Sequence, residues 1–391
     1  MVEKNRIFGL DILRAFAILC VVFQHGQGLL GNGILSIQIK RISVHLFGYD
    51  GVSIFFVLSG FLIGGILIKV LDKKQTINRV ILLQFWIRRW FRTLPNYFLI
   101  LITLSILVYF NIGDCHGFDF SLWNIKKYFI FSQSLYKPHP NFFPEAWSLC
   151  VEEWFYLLIP LLIAIFIKLG KLSPKKSIFL SAIIVILAVI FFRYYKFTVI
   201  SNSHFDWNLW FHKQVFTSLD SLMFGVIGAY INYYYHEKWI KHKKTLLVAG
   251  IFILTINKYL TAYRLIDFIG LYNTVFSLCV ISIATLMCLP FFNGYKSGKG
   301  LVYKAITRIS LISYSMYLLN LSFVNFSILH NIHFEKYSFI KEYHLINEAA
   351  FFKYILYWIL VIVLSNLLYK YWEVPMMKLR DNRRIKSIFR I

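Results

Sequence analysis

A chain of 391 residues that is 58% hydrophobic and only 15% charged carries far more apolar surface than a soluble domain of that length can bury. Its formal net charge of +24 has the sign of a nucleic-acid binder. The Lys and Arg residues, however, sit in short connections between apolar blocks and in the C-terminal tail, where they act as topology determinants. Lipid is the expected solvent, and no nucleic-acid partner is expected.

Taken in chain order, the apolar blocks predict spans near 8–30, 50–70, 94–112, 147–167, 177–195, 214–234, 245–260, 268–291, 309–330 and 351–372. At ~1.5 Å per residue such blocks cross a hydrocarbon layer ~30 Å thick. The shortest, 245–260, needs a tilt, a kink or an extension to do so. The expected fold class is all-α: a polytopic integral membrane protein with about ten transmembrane helices. A single transmembrane domain over residues 1–376, followed by a basic tail at 377–391, is the simplest division. The first block carries Arg14 and His25 and no A-x-A-like cleavage site follows it, so it reads as a retained helix and not a signal peptide.

Ten crossings with the N-terminus inside put 27 basic residues on the cytoplasmic side and 11 on the other, with both termini in the cytoplasm. The longest connection on the opposite side, 113–146, holds Phe118, Phe120, Trp123, Tyr128, Phe129, Phe131 and Tyr136. Two readings stand for it: an interfacial segment lying over a site, or an ordinary aromatic belt. Cys20, Cys115, Cys150, Cys279 and Cys288 lie in or beside apolar segments without C-x-x-C spacing and read as small core residues, so neither a metal site nor a disulfide framework is expected.

Charges inside a bilayer cost several kcal/mol unless paired or wet, which makes intramembrane ionisable residues the first functional candidates. Asp11, Arg14 and His25 lie on the first span. Arg14 and His25 are eleven residues apart, about 20° of net helical rotation, and so share a face with ~16 Å between them. Asp11 is placed to pair with Arg14. On the fourth span Glu152 and Glu153 are adjacent, 100° apart around the helix, so that one faces a polar cavity while the other meets a helix contact or the interface. Glu152 and His25 would then form an acid/base pair in which the carboxylate orients the imidazole. Arg88, Arg89 and Arg92 lie in the stretch before the third span, where guanidinium groups bind phosphate bidentately or anchor to lipid headgroups. Both readings remain open.

In these pieces the sequence resembles the acyltransferase 3 family of membrane O-acyltransferases, from about residue 8 to residue 376. The resemblance rests on Gly9-Leu10-Asp11 with Arg14 and His25, on Gly51 through Phe61 including Ser59, and on Arg88-Arg89 with Arg92 and Pro95. It continues through Trp147-Ser148-Leu149 to Glu152 and Phe155-Tyr156, Leu219-Asp220 ahead of Gly225, Ser313-Tyr314 with Tyr317-Leu318, and Glu373 with Pro375. It implies an acyl-CoA donor, usually acetyl-CoA, bound from the cytoplasm at a multi-pass protein of the bacterial inner membrane. The acyl group would pass to a hydroxyl of an extracytoplasmic glycan or glycolipid such as O-antigen, capsule or peptidoglycan. His25, Glu152 and Arg14 are the implied catalytic residues, with Arg14, Arg88, Arg89 and Arg92 on the donor. Asp11, Ser59, Glu153, Asp220 and Tyr317 are the substrate-binding candidates, and no metal is implied. The chain departs from the family pattern at Ser53, Ser218, Glu145-Ala146 and Asn320, the last standing where a histidine is frequent. A proton-coupled secondary transporter is the competing class, since buried Arg, His and Glu also suit proton transport, but no pair of matched broken helices is present to support it.

Overall fold

The computed structural model describes residues 6–110, 117–200, 206–262, 270–337, 340, 342–343 and 345–380. Cys115, His116, His204 and the tail from residue 381 lie outside the described residues. The helices that build the fold among the described residues are α1 (Phe8–Gly26), α2 (Ile34–Phe47), α3 (Gly51–Lys74), α4 (Arg79–Tyr109), α5 (Leu122–Phe129), α6 (Ala146–Lys168), α7 (Pro174–Ile200), α8 (Val215–Tyr234), α9 (His236–Lys241), α10 (Lys243–Ala262), α11 (Ser277–Gly294), α12 (Gly300–Leu319) and α13 (Ile346–Leu368). Among the described residues ten helical stretches are long and apolar enough to cross a membrane, as the sequence predicts. No strand occurs among them, and the protein is an all-α polytopic membrane protein.

Sequence and structure differ most at α4. Reading charge as punctuation makes 69–92 a connection, yet the arginine run lies inside one 31-residue helix from Arg79 to Tyr109. Asn78 starts it by accepting a hydrogen bond from the Ile81 amide at 2.9 Å. Cations on one face of an amphipathic extension do not end a helix; they lengthen it beyond the apolar stretch. Helix α10 fills 20 residues, so the block predicted as shortest is a full-length helix, and with Val248, Ile251 and Phe252 exposed it is peripheral. The connection predicted at 31–49 contains α2, whose Ile34, Ile42 and Leu46 are exposed as on a lipid-facing helix. Beyond α13 the helix continues through Tyr369–Glu373 to Leu379, three residues past the domain boundary expected at 376.

Helix α1 lies against α3, α11 and α12, and α3 lies along α8. The α3–α8 contact is backbone to backbone: a Cβ on Gly60 would stand 1.9 Å from the Leu222 carbonyl oxygen, and one on Gly225 would stand 2.1 Å from that of Val57. In lipid, where apolar burial drives little helix association, such close approach supplies the dispersion contact. The 118–143 segment packs onto the bundle through its aromatic rings. Tyr128, Phe142 and Phe143 are buried, the Tyr97 hydroxyl donates to the Tyr128 carbonyl at 2.9 Å, and Trp123, Phe129 and Tyr136 stay exposed. Cys20, Cys150, Cys279 and Cys288 are buried among the helices.

Polar residues deep in the bundle are tied to one another. Arg193 of α7 and Asp220 of α8 form a fully buried ion pair at 2.6 Å. The guanidinium also donates to the carbonyls of Thr217 at 2.7 Å and Val275 at 3.1 Å, and the Cys279 thiol of α11 donates to Asp220 at 3.2 Å. Asp220 is therefore a fastener of three helices and does not line the cavity described below. Glu373 does the same work elsewhere, accepting from Asn96 of α4 at 2.9 Å and from Ser315 of α12 at 2.8 Å.

Candidate active site

A cavity of about 120 Å³ opens within the bundle where α1, α3, α4, α6 and α12 meet. Arg14, Ser59, Arg89, Arg92, Glu152 and Tyr317 line it, so six of the residues singled out in the sequence come together. Arg92 is exposed at its mouth and Arg89 is half-buried. The Arg89 Nε is buried and has no hydrogen-bond partner among the described residues. Three guanidinium groups face one carboxylate here, which gives the cavity an excess of positive charge. Arg88 is exposed on α4 and does not line the cavity, which separates it from Arg89 and Arg92.

Arg14 is kept available by its neighbour. Asp11 is bound by Arg6, whose Nε donates at 3.0 Å and whose Nη2 pairs with the other carboxylate oxygen, and by the Ser310 hydroxyl at 2.7 Å. The Asp11–Arg14 pair expected from spacing is a longer contact of 3.4 Å. With Asp11 committed elsewhere, the Arg14 guanidinium faces the cavity, and Asp11, 4% exposed, does not line it.

The adjacent glutamates diverge as their 100° separation requires. Glu152 lines the cavity and accepts a hydrogen bond from the Tyr156 hydroxyl one turn on, at 2.8 Å, with Ser59 of α3 at 3.4 Å from that hydroxyl. Glu153 turns into the α4 contact, accepting from Thr93 Oγ1 at 2.9 Å and Trp90 Nε1 at 3.0 Å. It joins two helices and does not line the cavity. Tyr156 belongs to the pieces that carry the resemblance but is given no site role there, although its i+4 spacing from Glu152 is a readable signal.

His25 lies at the opposite end of α1 from Arg14, outside the residues that line the cavity. Its Nδ1 is 2.5 Å from Asn320 Oδ1, so the expected Glu152–His25 hydrogen bond is replaced by two separate ones, Glu152 with Tyr156 and His25 with Asn320. Asn320 opens a wide-turned stretch, Asn320–Leu329, that continues α12. Its irregular geometry leaves the Leu321 and Ser322 amides free, and both donate to Glu145 Oε1, at 3.2 and 2.7 Å, while the Ser322 hydroxyl pairs with the second oxygen. Tyr317 is tied to this end as well, accepting from Ser148 at 2.8 Å and donating to the Glu145 carbonyl at 3.1 Å. Nearby, Asp50 caps α3 through the amides of Val52 and Ser53 and pairs with His212 at 3.0 Å. Asp50 and His212 escaped the sequence reading because only folding joins them. Of the loop histidines, His139 is buried with Nδ1 at 2.6 Å from the Pro140 carbonyl, and burial holds its imidazole down at about 3.

Burial pushes the Glu145 carboxyl up to about 7, against the hydrogen bonds from Ser322 and Leu321 that hold it down. A folded value above the unfolded 4.5 means that stability present at low pH is lost as pH rises through this window. Glu145→Gln keeps the acceptor oxygen for both amides and should raise the unfolding temperature at pH 8 while leaving it unchanged at pH 4. Glu145→Ala strands both amides and should cost about 1–3 kcal/mol at either pH. Melting of the detergent-solubilised protein at the two pH values measures both.

Fold and site together define the class: a polytopic helical membrane protein with an arginine-lined cavity inside its bundle. The chain belongs to the acyltransferase 3 family, whose model, described as an acyltransferase domain, matches residues 7–370. It is similar to the O-acetyltransferase OatA of Staphylococcus aureus, 28% identical over 395 residues that cover 97% of this chain and 58% of the relative. Shorter matches are to the peptidoglycan O-acetyltransferase OatA of Listeria monocytogenes, 33% identical over 44% of this chain and 26% of the relative, and to the putative peptidoglycan O-acetyltransferase YrhL of Bacillus subtilis, 32% identical over 46% and 27%. The chain thus spans little more than half the length of the Staphylococcus relative. No solved structure matches.

Proposed function

We propose that this protein is a membrane O-acyltransferase that moves an acyl group, most simply acetyl, from acyl-CoA on the cytoplasmic side to a hydroxyl of a glycan on the other side of the cytoplasmic membrane. One observation carries the reading: the cavity gathers Arg14, Arg89 and Arg92 around Glu152, while His25 stands on the same helix as Arg14, eleven residues further on. In this assignment the arginines hold the donor phosphates in the cavity beside Glu152 and Tyr156, and the acyl end of the donor reaches on toward His25. His25 takes the proton of the acceptor hydroxyl. The similarity to the peptidoglycan O-acetyltransferases of Listeria and Bacillus favours peptidoglycan over O-antigen or capsule among the acceptors that the resemblance suggests. The basic bias of 27 to 11 supports both termini in the cytoplasm, which puts the Arg14 end of α1 on the donor side.

Donor binding tests the reading. Arg89→Ala or Arg92→Ala should raise the KM for acetyl-CoA by about 10- to 100-fold, each lost charge-assisted contact being worth about 1.5–3 kcal/mol. The check is release of CoA from protein reconstituted in vesicles with a glycan acceptor. An unchanged donor KM with poorer membrane insertion would return the run to a headgroup anchor.

A further inference from the structure

The contact between His25 and Asn320 decides which nitrogen of the imidazole is free to react. Asn320 is fully buried, and its amide orientation is not arbitrary. Nδ2 donates to two carbonyls of its own helix, Met316 at 3.0 Å and Tyr317 at 2.7 Å. Those two bonds use both of its protons. The flipped amide would press Oδ1 against two carbonyl oxygens, so Oδ1 must be the atom that faces His25 Nδ1 at 2.5 Å. An amide oxygen has no proton to give. The proton of that hydrogen bond therefore belongs to Nδ1, and the lone pair of the neutral ring lies on Nε2.

We propose that Asn320 is a positioning residue that fixes the tautomer of His25, holding the proton on Nδ1 and presenting Nε2 as the atom that takes the acceptor proton. The surroundings support a held ring. Asn325 donates to the His25 carbonyl at 2.9 Å, which anchors the end of α1 to the wide-turned stretch. From α13 the Tyr357 hydroxyl donates to the Val22 carbonyl at 3.1 Å and stands 3.4 Å from Asn320 Oδ1, closing that side. No carboxylate takes the orienting place that one occupies in a His–Asp pair. A neutral amide sets the tautomer without stabilising the imidazolium by a full charge, and so keeps the base from being held protonated.

The inference rests on the assignment of His25 made above. In the step it describes, the acceptor O–H proton moves to Nε2 as the oxygen bonds to the thioester carbonyl carbon. The carbon–sulfur bond then breaks and the departing thiolate takes the proton back from Nε2, while Nδ1–H stays on Asn320 throughout.

Two measurements on the full chain in nanodiscs test it. In protein carrying ¹⁵N-histidine, the signals lost in His25→Gln should be a protonated Nδ1 and an unprotonated Nε2. A protonated Nε2 there would overturn the inference, and this readout needs no change at position 320. Asn320→Leu keeps the volume but removes the acceptor oxygen. It should mix the tautomers of His25 and lower kcat about 10- to 100-fold, part of the ~10²–10⁴ that a general base supplies, with donor KM within twofold. An inserted Asn320→Leu protein with parent kcat would also overturn it. Failure of the underlying assignment looks different: His25→Gln itself would remain active.

Discussion

His25→Ala and His25→Gln are expected to abolish acyl transfer while leaving the chain inserted and folded. A thioester is already activated, so the hydroxyl that attacks it needs chiefly the removal of its proton, and a positioned imidazole suits that task. His25 is bonded through Nδ1 to Asn320 and its backbone is held by Asn325, so the ring is kept in place by partners that take no part in the proton transfer. Loss of general-base catalysis alone removes ~10²–10⁴ in rate. Mass spectrometry of the glycan after incubation with labelled acetyl-CoA would read the difference directly. Glutamine retains hydrogen bonding but cannot act as a base, so both variants should be equally dead. A well-inserted His25→Ala protein with near-parent turnover would refute the assignment and move the base to Glu152. A histidine acyl adduct formed from donor alone would instead select nucleophilic catalysis at the same residue.

The second large effect is expected on folding. Asp220→Ala leaves Arg193 buried without its counter-ion, and breaking such a pair from one side costs about 3–5 kcal/mol. Asp220→Ala protein should be largely unfolded or aggregated on solubilisation. Replacing both partners by apolar residues of similar volume, Arg193→Met with Asp220→Leu, should recover most of the loss, because no uncompensated charge remains. Monodispersity on size exclusion and the urea midpoint of the detergent-solubilised protein compare the three. An Asp220→Ala chain of parent stability with a weakened acceptor KM would place Asp220 in the substrate-binding set instead.

Much of the site was legible along the chain because helices impose fixed rotations. Arg14 and His25 share a face by arithmetic, and Glu152 and Glu153 must diverge by 100°. Which of the two glutamates faces the cavity was not legible, since it depends on where α4 places Trp90 and Thr93. Asp220 carried the family pattern and lies elsewhere, for no spacing along α8 reveals that Arg193 of α7 faces it. Asn320 stood out only as a departure, and its contact with His25 becomes visible once α1 and α12 are side by side.

By itself the sequence determined the solvent of this protein, the existence of its ten long apolar helices and the identity of the costly groups within them. Those follow from composition and from the energetics of backbone and charge in hydrocarbon, which act locally along the chain. Only the tertiary structure decided where α4 begins relative to the cavity, which carboxylates fasten helices and which stay available, and what holds the imidazole. A buried polar group takes its role from the nearest partner in space, and the partner of His25 is 295 residues away.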